Sequence, residues 1–423
     1  MTRRSAAAAA AAVAVVATAV AGCGTQTPPE PVRATTDRVA VSVAEATAVQ
    51  DVVTATDRLG LELLGLLPAE ENLVTSPASA VLALGMLAEG ATGQGVAELD
   101  DLLGAAGAPR SDALNALSAH LSALDGDPAA AAGEELPEQP LLHLAQQLVV
   151  DDGAQLRPAY LEALARSFGA GVQHTDLASD AGIEVLSDWA GWHTGGLVEE
   201  SAIRPDPDLR LVIQDAVLLA ARWDLPFSPE ATWPEPFHRA GGEPVDVETM
   251  HQETELTYAE VQGWQAVRLA YRGAPLHADV LLPPPGTGAQ TLDGELLASL
   301  LGTLEEAPAR LVRLALPRAD LSTVLRLEPL LARRAPSVVE LGSLGGISEE
   351  ELRVSQAVQQ AVLTIDEEGT VAAALTELGA AGAAAPEPLP VVEMTVDRPY
   401  LVRIAQTDTG WPLFLARVAD PRG

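Results

Sequence analysis

Few side chains in this sequence are spaced for covalent or acid–base chemistry. Ser76 and Ser79, in Thr75-Ser76-Pro77-Ala78-Ser79, are the hydroxyls a hydrolase would use, with a distant histidine as base. Ser76 also stands directly before Pro77, the arrangement of a helix start, where a hydroxyl accepts from free backbone N–H groups. Capping or core hydrogen bonding is therefore the expected role of both serines. The seven histidines, His120, His143, His174, His193, His238, His251 and His277, include no HExxH pair, and His193 beside Thr194 reads as a helix-end residue rather than a general base. Cys23 is the only cysteine, so neither an intramolecular disulfide nor a cysteine zinc site can form, and GxSxG, SxxK and phosphate-loop motifs are absent. No metal or cofactor is expected. The 59 acidic residues outweigh 25 basic ones, all arginine, for a net charge of -34. Such a surface repels nucleic-acid phosphates and suits solubility outside a cell.

The run 363–385 reads Leu-Thr-Ile-Asp-Glu-Glu-Gly-Thr-Val-Ala-Ala-Ala-Leu-Thr-Glu-Leu-Gly-Ala-Ala-Gly-Ala-Ala-Ala. Val362, Leu363 and Ile365 are strand formers, 366–369 reads as an acidic turn ending in glycine, and the small-residue tract is closed by Pro386, Pro388 and Pro390. By composition the tract is a flexible linker or an alanine-rich helix. Parity allows a third reading. In an extended chain Thr370, Ala372, Ala374, Thr376, Leu378, Ala380 and Gly382 share one face and none is charged, whereas Glu377 falls on the other with Val371, Ala373, Leu375 and Ala381. No proline removes an N–H between 366 and 385, so the segment can enter a sheet as a whole strand with its even face on a core.

Strand-like runs fall at 144–150, 211–219, 266–270, 278–282 and 311–316, with helices between. A helix over 158–168 opens on proline, and one over 181–192 stops at Gly195-Gly196. A helical pattern covers 39–67, and its tail, 59–67, is apolar enough to lie in a core. Strands and helices mixed without strict alternation argue α+β against a doubly wound sheet. The residues are 48% apolar and no fixed-period repeat appears, which fits one large domain. Residues 125–140 read as an acidic, Pro/Ala-rich loop.

The chain begins Met1-Thr2-Arg3-Arg4 and continues as an apolar run to Val20-Ala21-Gly22-Cys23. This is an export signal, too short to span comfortably as a permanent helix. Over 1–22 it resembles a bacterial lipoprotein signal, in which Cys23 receives lipid; an ordinary secretory peptide with an incidental cysteine is the alternative. Acyl chains on Cys23 would hold the protein at a membrane, at about 0.8 kcal/mol per buried CH2. Residues 23–40, with Pro28, Pro29 and Pro31, then read as a flexible tether.

Asp366-Glu367-Glu368-Gly369-Thr370 followed by small residues resembles the reactive-loop hinge of serpins, the serine protease inhibitor family. Other segments agree in order and spacing: Asn72-Leu73-Val74-Thr75-Ser76-Pro77-Ala78-Ser79, Ala83-Leu84-Gly85-Met86-Leu87-Ala88-Glu89-Gly90-Ala91, Thr194-Gly195-Gly196, 219–223 with Pro226-Phe227, Leu316-Pro317-Arg318, Asp397-Arg398-Pro399-Tyr400 and 414–421. The resemblance runs from residue 45 to the C-terminus. It implies an α+β serpin fold over 41–423: a large central mixed sheet, smaller sheets, about eight or nine helices, and an exposed reactive loop at about 367–390. It further implies suicide-substrate inhibition, in which a protease cuts a loop lying outside the sheet and the cut loop then inserts as a strand.

The family pattern assigns roles residue by residue. Glu367, Glu368, Gly369, Thr370, Val371, Ala372, Ala373 and Ala374 correspond to the hinge, with Val371 replacing a frequent glutamate. Counting from Gly369 puts the reactive bond at Ala383-Ala384. No arginine or lysine lies between 366 and 394, which disfavours a trypsin-like target and favours an elastase-like or subtilisin-like one. Glu367 is expected to pair with Arg318, or else to stand exposed. Trp223 corresponds to the tryptophan beneath the breach, and Ser76 and Ser79 belong to the sheet-opening region. There Asp215 and Gln359 stand where an asparagine and a histidine are usual, and a hydrogen bond between them is expected. The implied partners are a serine protease and, through Cys23, a membrane, with no nucleic acid and a monomeric state. A non-inhibitory serpin acting as carrier or scaffold is the competing reading.

Overall fold

A computed structural model describes residues 31–131, 136–370 and 391–422. Among them are nine α-helices: α1 (Val49–Leu64), α2 (Pro77–Ala88), α3 (Gly93–Leu103), α4 (Gly107–His120), α5 (Pro158–Phe168), α6 (Asp180–His193), α7 (Gly294–Glu306), α8 (Glu328–Arg334) and α9 (Pro336–Val339). The strands are β1 (Leu73–Thr75), β2 (Leu141–Asp151), β3 (Val172–Thr175), β4 (Leu211–Arg222), β5 (Thr232–Phe237), β6 (Val245–Val261), β7 (Trp264–Ala270) and β8 (Leu276–Leu282), followed by β9 (Ala309–Pro317), β10 (Ala319–Arg326), β11 (Val354–Ile365), β12 (Gly369–Thr370), β13 (Val392–Thr395), β14 (Tyr400–Gln406) and β15 (Pro412–Val418).

The strands form two sheets. One has the order β10-β11-β12-β4-β2-β3 and mixes parallel with antiparallel pairs. The other runs β1-β15-β14-β8-β7-β6-β9-β13, with β5 added on β6. β4 is buried nearly throughout because both its faces are covered. Its odd-numbered residues Leu211, Ile213, Val217 and Leu219 join the main core, while Val212 packs with Ile183 and Leu186 of α6. Every residue of α2 is buried, so it is a core helix rather than an amphipathic one. Ser76 caps it, accepting from the Ser79 N–H at 3.2 Å.

The helix expected over 39–67 begins only at Val49. At the start of that stretch the backbone bonds to other elements, with Val39 N–H donating to Arg166 O at 3.0 Å and the Asn115 amide donating to Val39 O at 2.9 Å, and only a short turn forms where Glu45 and Ala46 N–H donate to Ser42 O at 3.1 Å. Part of the segment expected as a tether is also docked. Val32 exchanges two backbone hydrogen bonds with Val172 on β3, of 2.9 and 3.0 Å, and Arg38 Nη2 donates to Asn115 O at 2.9 Å and to Ser118 Oγ at 2.6 Å. Among the described residues no helix is long and apolar enough to cross a membrane. The expected export signal and Cys23 lie outside them.

Candidate strand-insertion site

β11 and β4 run side by side in parallel from Val354 beside Leu211 to Ala361 beside Val217, and then part. β12 occupies the gap between their ends. Gly369 pairs with Arg222 and Thr370 with Ala221 on one side, Thr370 with Ile365 on the other, antiparallel to both neighbours. The turn that returns the chain into this gap is closed by Asp366, whose carboxylate accepts from the N–H groups of Glu368 at 2.9 Å and Gly369 at 3.0 Å. Burial raises the Asp366 pKa, and those two bonds oppose the shift. At Gly369 a Cβ would collide with the Ala221 carbonyl and the Arg222 Cα, so only glycine fits against β4.

Thr370 is fully buried, its hydroxyl 2.6 Å from that of Tyr271, whose ring stacks on Trp223 at a centroid distance of 4.6 Å. Trp223 holds the turn from below, with Nε1 donating to Asp366 O at 2.9 Å and its backbone N–H to Glu368 O at 2.7 Å. Both acidic side chains are paired. Glu367 accepts from Arg318 Nε at 2.9 Å, Arg318 Nη2 at 2.5 Å and Thr232 Oγ1 at 2.5 Å, while Glu368 accepts from Arg222 Nη1 at 2.9 Å. Burial pushes the Glu367 carboxyl up, yet the bonds from Arg318 and Thr232 outweigh it and hold the group below the ordinary carboxylate value.

Farther down the gap, where β4 and β11 still touch, the two strands share one polar contact. Gln359 Nε2 donates to Asp215 Oδ2 at 2.8 Å and to Ser76 O at 2.9 Å; Gln359 Oε1 accepts from Thr75 Oγ1 at 2.5 Å and Ser76 N–H at 2.9 Å. The Ser79 hydroxyl donates to Asp215 Oδ1 and accepts from Gln146 Nε2 at 2.9 Å. Asp215 is 2% exposed and no cation is among these groups. Burial pushes its carboxyl up to about 7, against the pull of the Ser79 and Gln359 bonds. Ser76 is buried, its hydroxyl hydrogen is donated to Leu413 O at 2.6 Å, and no histidine is among its hydrogen-bond partners in the described residues. The hydrolase alternative fails on that geometry.

On the opposite face of the sheet, the chain leaving α6 crosses this junction. Gln360 accepts from Ala202 N–H at 3.4 Å and donates to Glu200 O at 3.0 Å, and Gln356 accepts from Arg204 N–H at 3.2 Å and donates to Arg204 O at 3.0 Å.

A family profile described as serpin (serine protease inhibitor) matches residues 54–421. The chain belongs to the serpin family. Iripin-2 of Ixodes ricinus is 33% identical over 377 residues, covering 86% of this chain and 92% of that protein. Plasminogen activator inhibitor 1 of Bos taurus is 27% identical over 299 residues, 66% of this chain and 71% of that protein. Among solved structures, the native thermophilic serpin tengpin superposes with a TM-score of 0.76 at 19% identity, over 92% of this chain and 97% of that one. Human thyroxine-binding globulin does so with 0.73 at 20%, over 89% and 100%. The α+β fold, with its large mixed sheet and second sheet, is the serpin fold.

In this serpin the expected Glu367–Arg318 pair and Asp215–Gln359 hydrogen bond are both present, and Trp223 lies beneath the hinge. One expectation is corrected. The resemblance implied a loop outside the sheet, yet Gly369 and Thr370 are already within it, because glycine admits the close approach and Thr370 finds a buried hydroxyl partner. Val371, Ala372, Ala373, Ala374 and the Ala383-Ala384 bond lie outside the described residues. Thr232, Arg222 and Tyr271 were given no role by the sequence reading because each reaches the hinge from a segment far away in sequence. The only local signal was Arg222, adjoining Trp223.

Proposed function

We propose that this serpin inhibits an elastase-like or subtilisin-like serine protease, offering the loop at about 367–390 as bait. The target's serine attacks the Ala383 carbonyl: the Oγ–C bond forms, the Ala383-Ala384 amide breaks, and the amine departs on Ala384, leaving an acyl-enzyme. The cut loop then enters between β4 and β11 before water deacylates the ester, carrying the protease with it.

The observation that carries this reading is the pairing of Gly369 and Thr370 with both flanking strands, Thr370 facing the core. Continuing that register sets Ala372 against Leu219 and Leu363, Ala374 against Val217 and Ala361, and Leu378 against Ile213 and Ala357, apolar on apolar. Thr376 meets Asp215 and Gln359, the one polar pair on that face of the gap. Insertion would replace a single parallel ladder by two antiparallel ones. A strand of about 15 residues spans roughly 50 Å, and each added ladder bond contributes about 0.5–1.5 kcal/mol.

We also read residues 1–22 as a bacterial lipoprotein signal and Cys23 as lipidated. The monomeric domain over 41–423 then works at the outer face of the cell membrane. Replacing Cys23 by serine should move the protein from the detergent phase to the aqueous phase.

The test of inhibition is incubation with elastase or subtilisin. An SDS-resistant adduct is expected from the wild type and none from Thr370→Arg, with the released fragment beginning at Ala384. Cleavage of the wild type without an adduct, and equal melting of intact and nicked forms, would instead assign the carrier or scaffold role.

A further inference from the structure

Away from the gap, a cavity of about 500 Å³ lies between β2, α6, α2 and the chain that precedes α1. Met86, Phe168, Trp189 and Trp192 give it apolar walls. At one end stands Arg38, half-buried, with Nη2 committed to Asn115 O and Ser118 Oγ. Its Nε is buried without a hydrogen-bond partner, and among the described residues it forms no ion pair with a carboxylate. In a chain of net charge -34, a half-buried guanidinium without a carboxylate is unusual enough to ask what anion it serves.

The cavity wall also carries Asp125, His143 and His193. Asp125 Oδ1 lies 2.6 Å from His143 Nδ1, and His143 Nε2 lies 2.7 Å from His193 Nδ1. Burial, together with the nearby His143, lowers the His193 pKa to about 3, so that ring is uncharged at neutral pH. It is packed between Trp189 and Trp192, at centroid distances of 4.4 and 4.6 Å. Asp125 is tied to His143, and Arg33 and Arg38 are the arginines that line the cavity, of which Arg38 is the more buried.

We propose that this cavity binds an amphipathic carboxylate, its charged group on Arg38 Nη1 and its apolar body between Trp189, Trp192, Met86 and Phe168. The volume falls in the range of small-molecule sites, and the lining combines the aromatic and aliphatic walls with polar side chains such as Gln146 and Ser122. The site lies apart from the hinge, so binding here does not depend on loop insertion.

The test uses the whole protein and dodecanoate, with methyl dodecanoate and dodecanol as uncharged controls, followed by tryptophan fluorescence and calorimetry. Dodecanoate should bind with one-to-one stoichiometry and at least about tenfold more tightly than either control, the scale of one charge-assisted hydrogen bond. Arg38→Gln, which keeps donors toward Asn115 and Ser118, should bring dodecanoate down to the level of the controls. Trp192→Ala should weaken all three ligands. Equal affinity for acid and ester in the wild type would overturn the proposal even if Arg38→Gln failed to fold. So would undiminished dodecanoate binding to Arg38→Gln or to Trp192→Ala, which would locate the ligand elsewhere.

Discussion

Replacing Asp215 by asparagine tests how the closed sheet is held. The carboxyl is 2% exposed, and its partners Ser79 and Gln359, like the Thr75, Ser76 and Gln146 groups bonded to them, are not ionisable. Its pKa rises from 3.8 to about 7 on burial. Because the folded value lies above the unfolded one, the group's contribution is fully present below about pH 4 and is lost as pH rises through about 7. A shift of about three units corresponds to roughly 4 kcal/mol by pH 9. Asparagine reproduces the neutral acid, with an acceptor for the Gln359 amide and a donor toward Ser79, at every pH. Urea unfolding between pH 5 and 9 should show the wild type losing on the order of 3 kcal/mol more than Asp215→Asn. The rate at which the intact molecule converts spontaneously to a loop-inserted form should rise with pH in the wild type alone. Parallel pH profiles for the two proteins would refute the reasoning, since they would mean that Asp215 does not titrate in the closed sheet.

Arg318→Ala should cost about 1–3 kcal/mol in urea unfolding at pH 7, because it leaves the Glu367 carboxylate, 7% exposed, without its charged partner. Glu367 has a lowered pKa, so the pair's contribution is present above the unfolded value and fades on acidification, and the wild type and Arg318→Ala should converge at low pH. Gly369→Ala should expel the hinge from the gap, read as faster amide exchange over 366–370; unchanged protection would mean that the close approach to Ala221 is absent in solution. His193, lowered from 6.5 to about 3, stabilises the fold above pH 6.5 and withdraws that contribution as pH falls, so His193→Asn should be less acid-sensitive than the wild type in urea unfolding at pH 4.5.

Regular elements were legible where local chemistry was decisive. α5 has the bounds that Pro158 and the αL glycine at 169 dictate, and α6 ends at the expected glycines. β6, the longest strand, went unread because its outer face is polar and its 17 residues lack a compact apolar run. Residues 39–48 carry a helical pattern, but Val39 and Val41 take hydrogen-bond partners on α4 and α5, a tertiary choice that periodicity cannot foresee. At the candidate site, Glu367, Arg318, Asp215, Gln359 and Trp223 were readable through family resemblance. Thr232, Arg222 and Tyr271 come from segments that only the folded sheets bring to the hinge. The early entry of Gly369 and Thr370 into the sheet depends on free space between two distant strands, which no local pattern encodes.

The crossing of residues 200–204 over the junction would set the order of events in the proposed insertion. A strand advancing from the Trp223 end reaches the Gln360 bonds to Ala202 and Glu200 first, then the Asp215–Gln359 contact, and last the clasp between Gln356 and Arg204. In the proposed insertion these clasps would be met in that order, and the race against deacylation would then turn on how fast each one opens as well as on the total energy released.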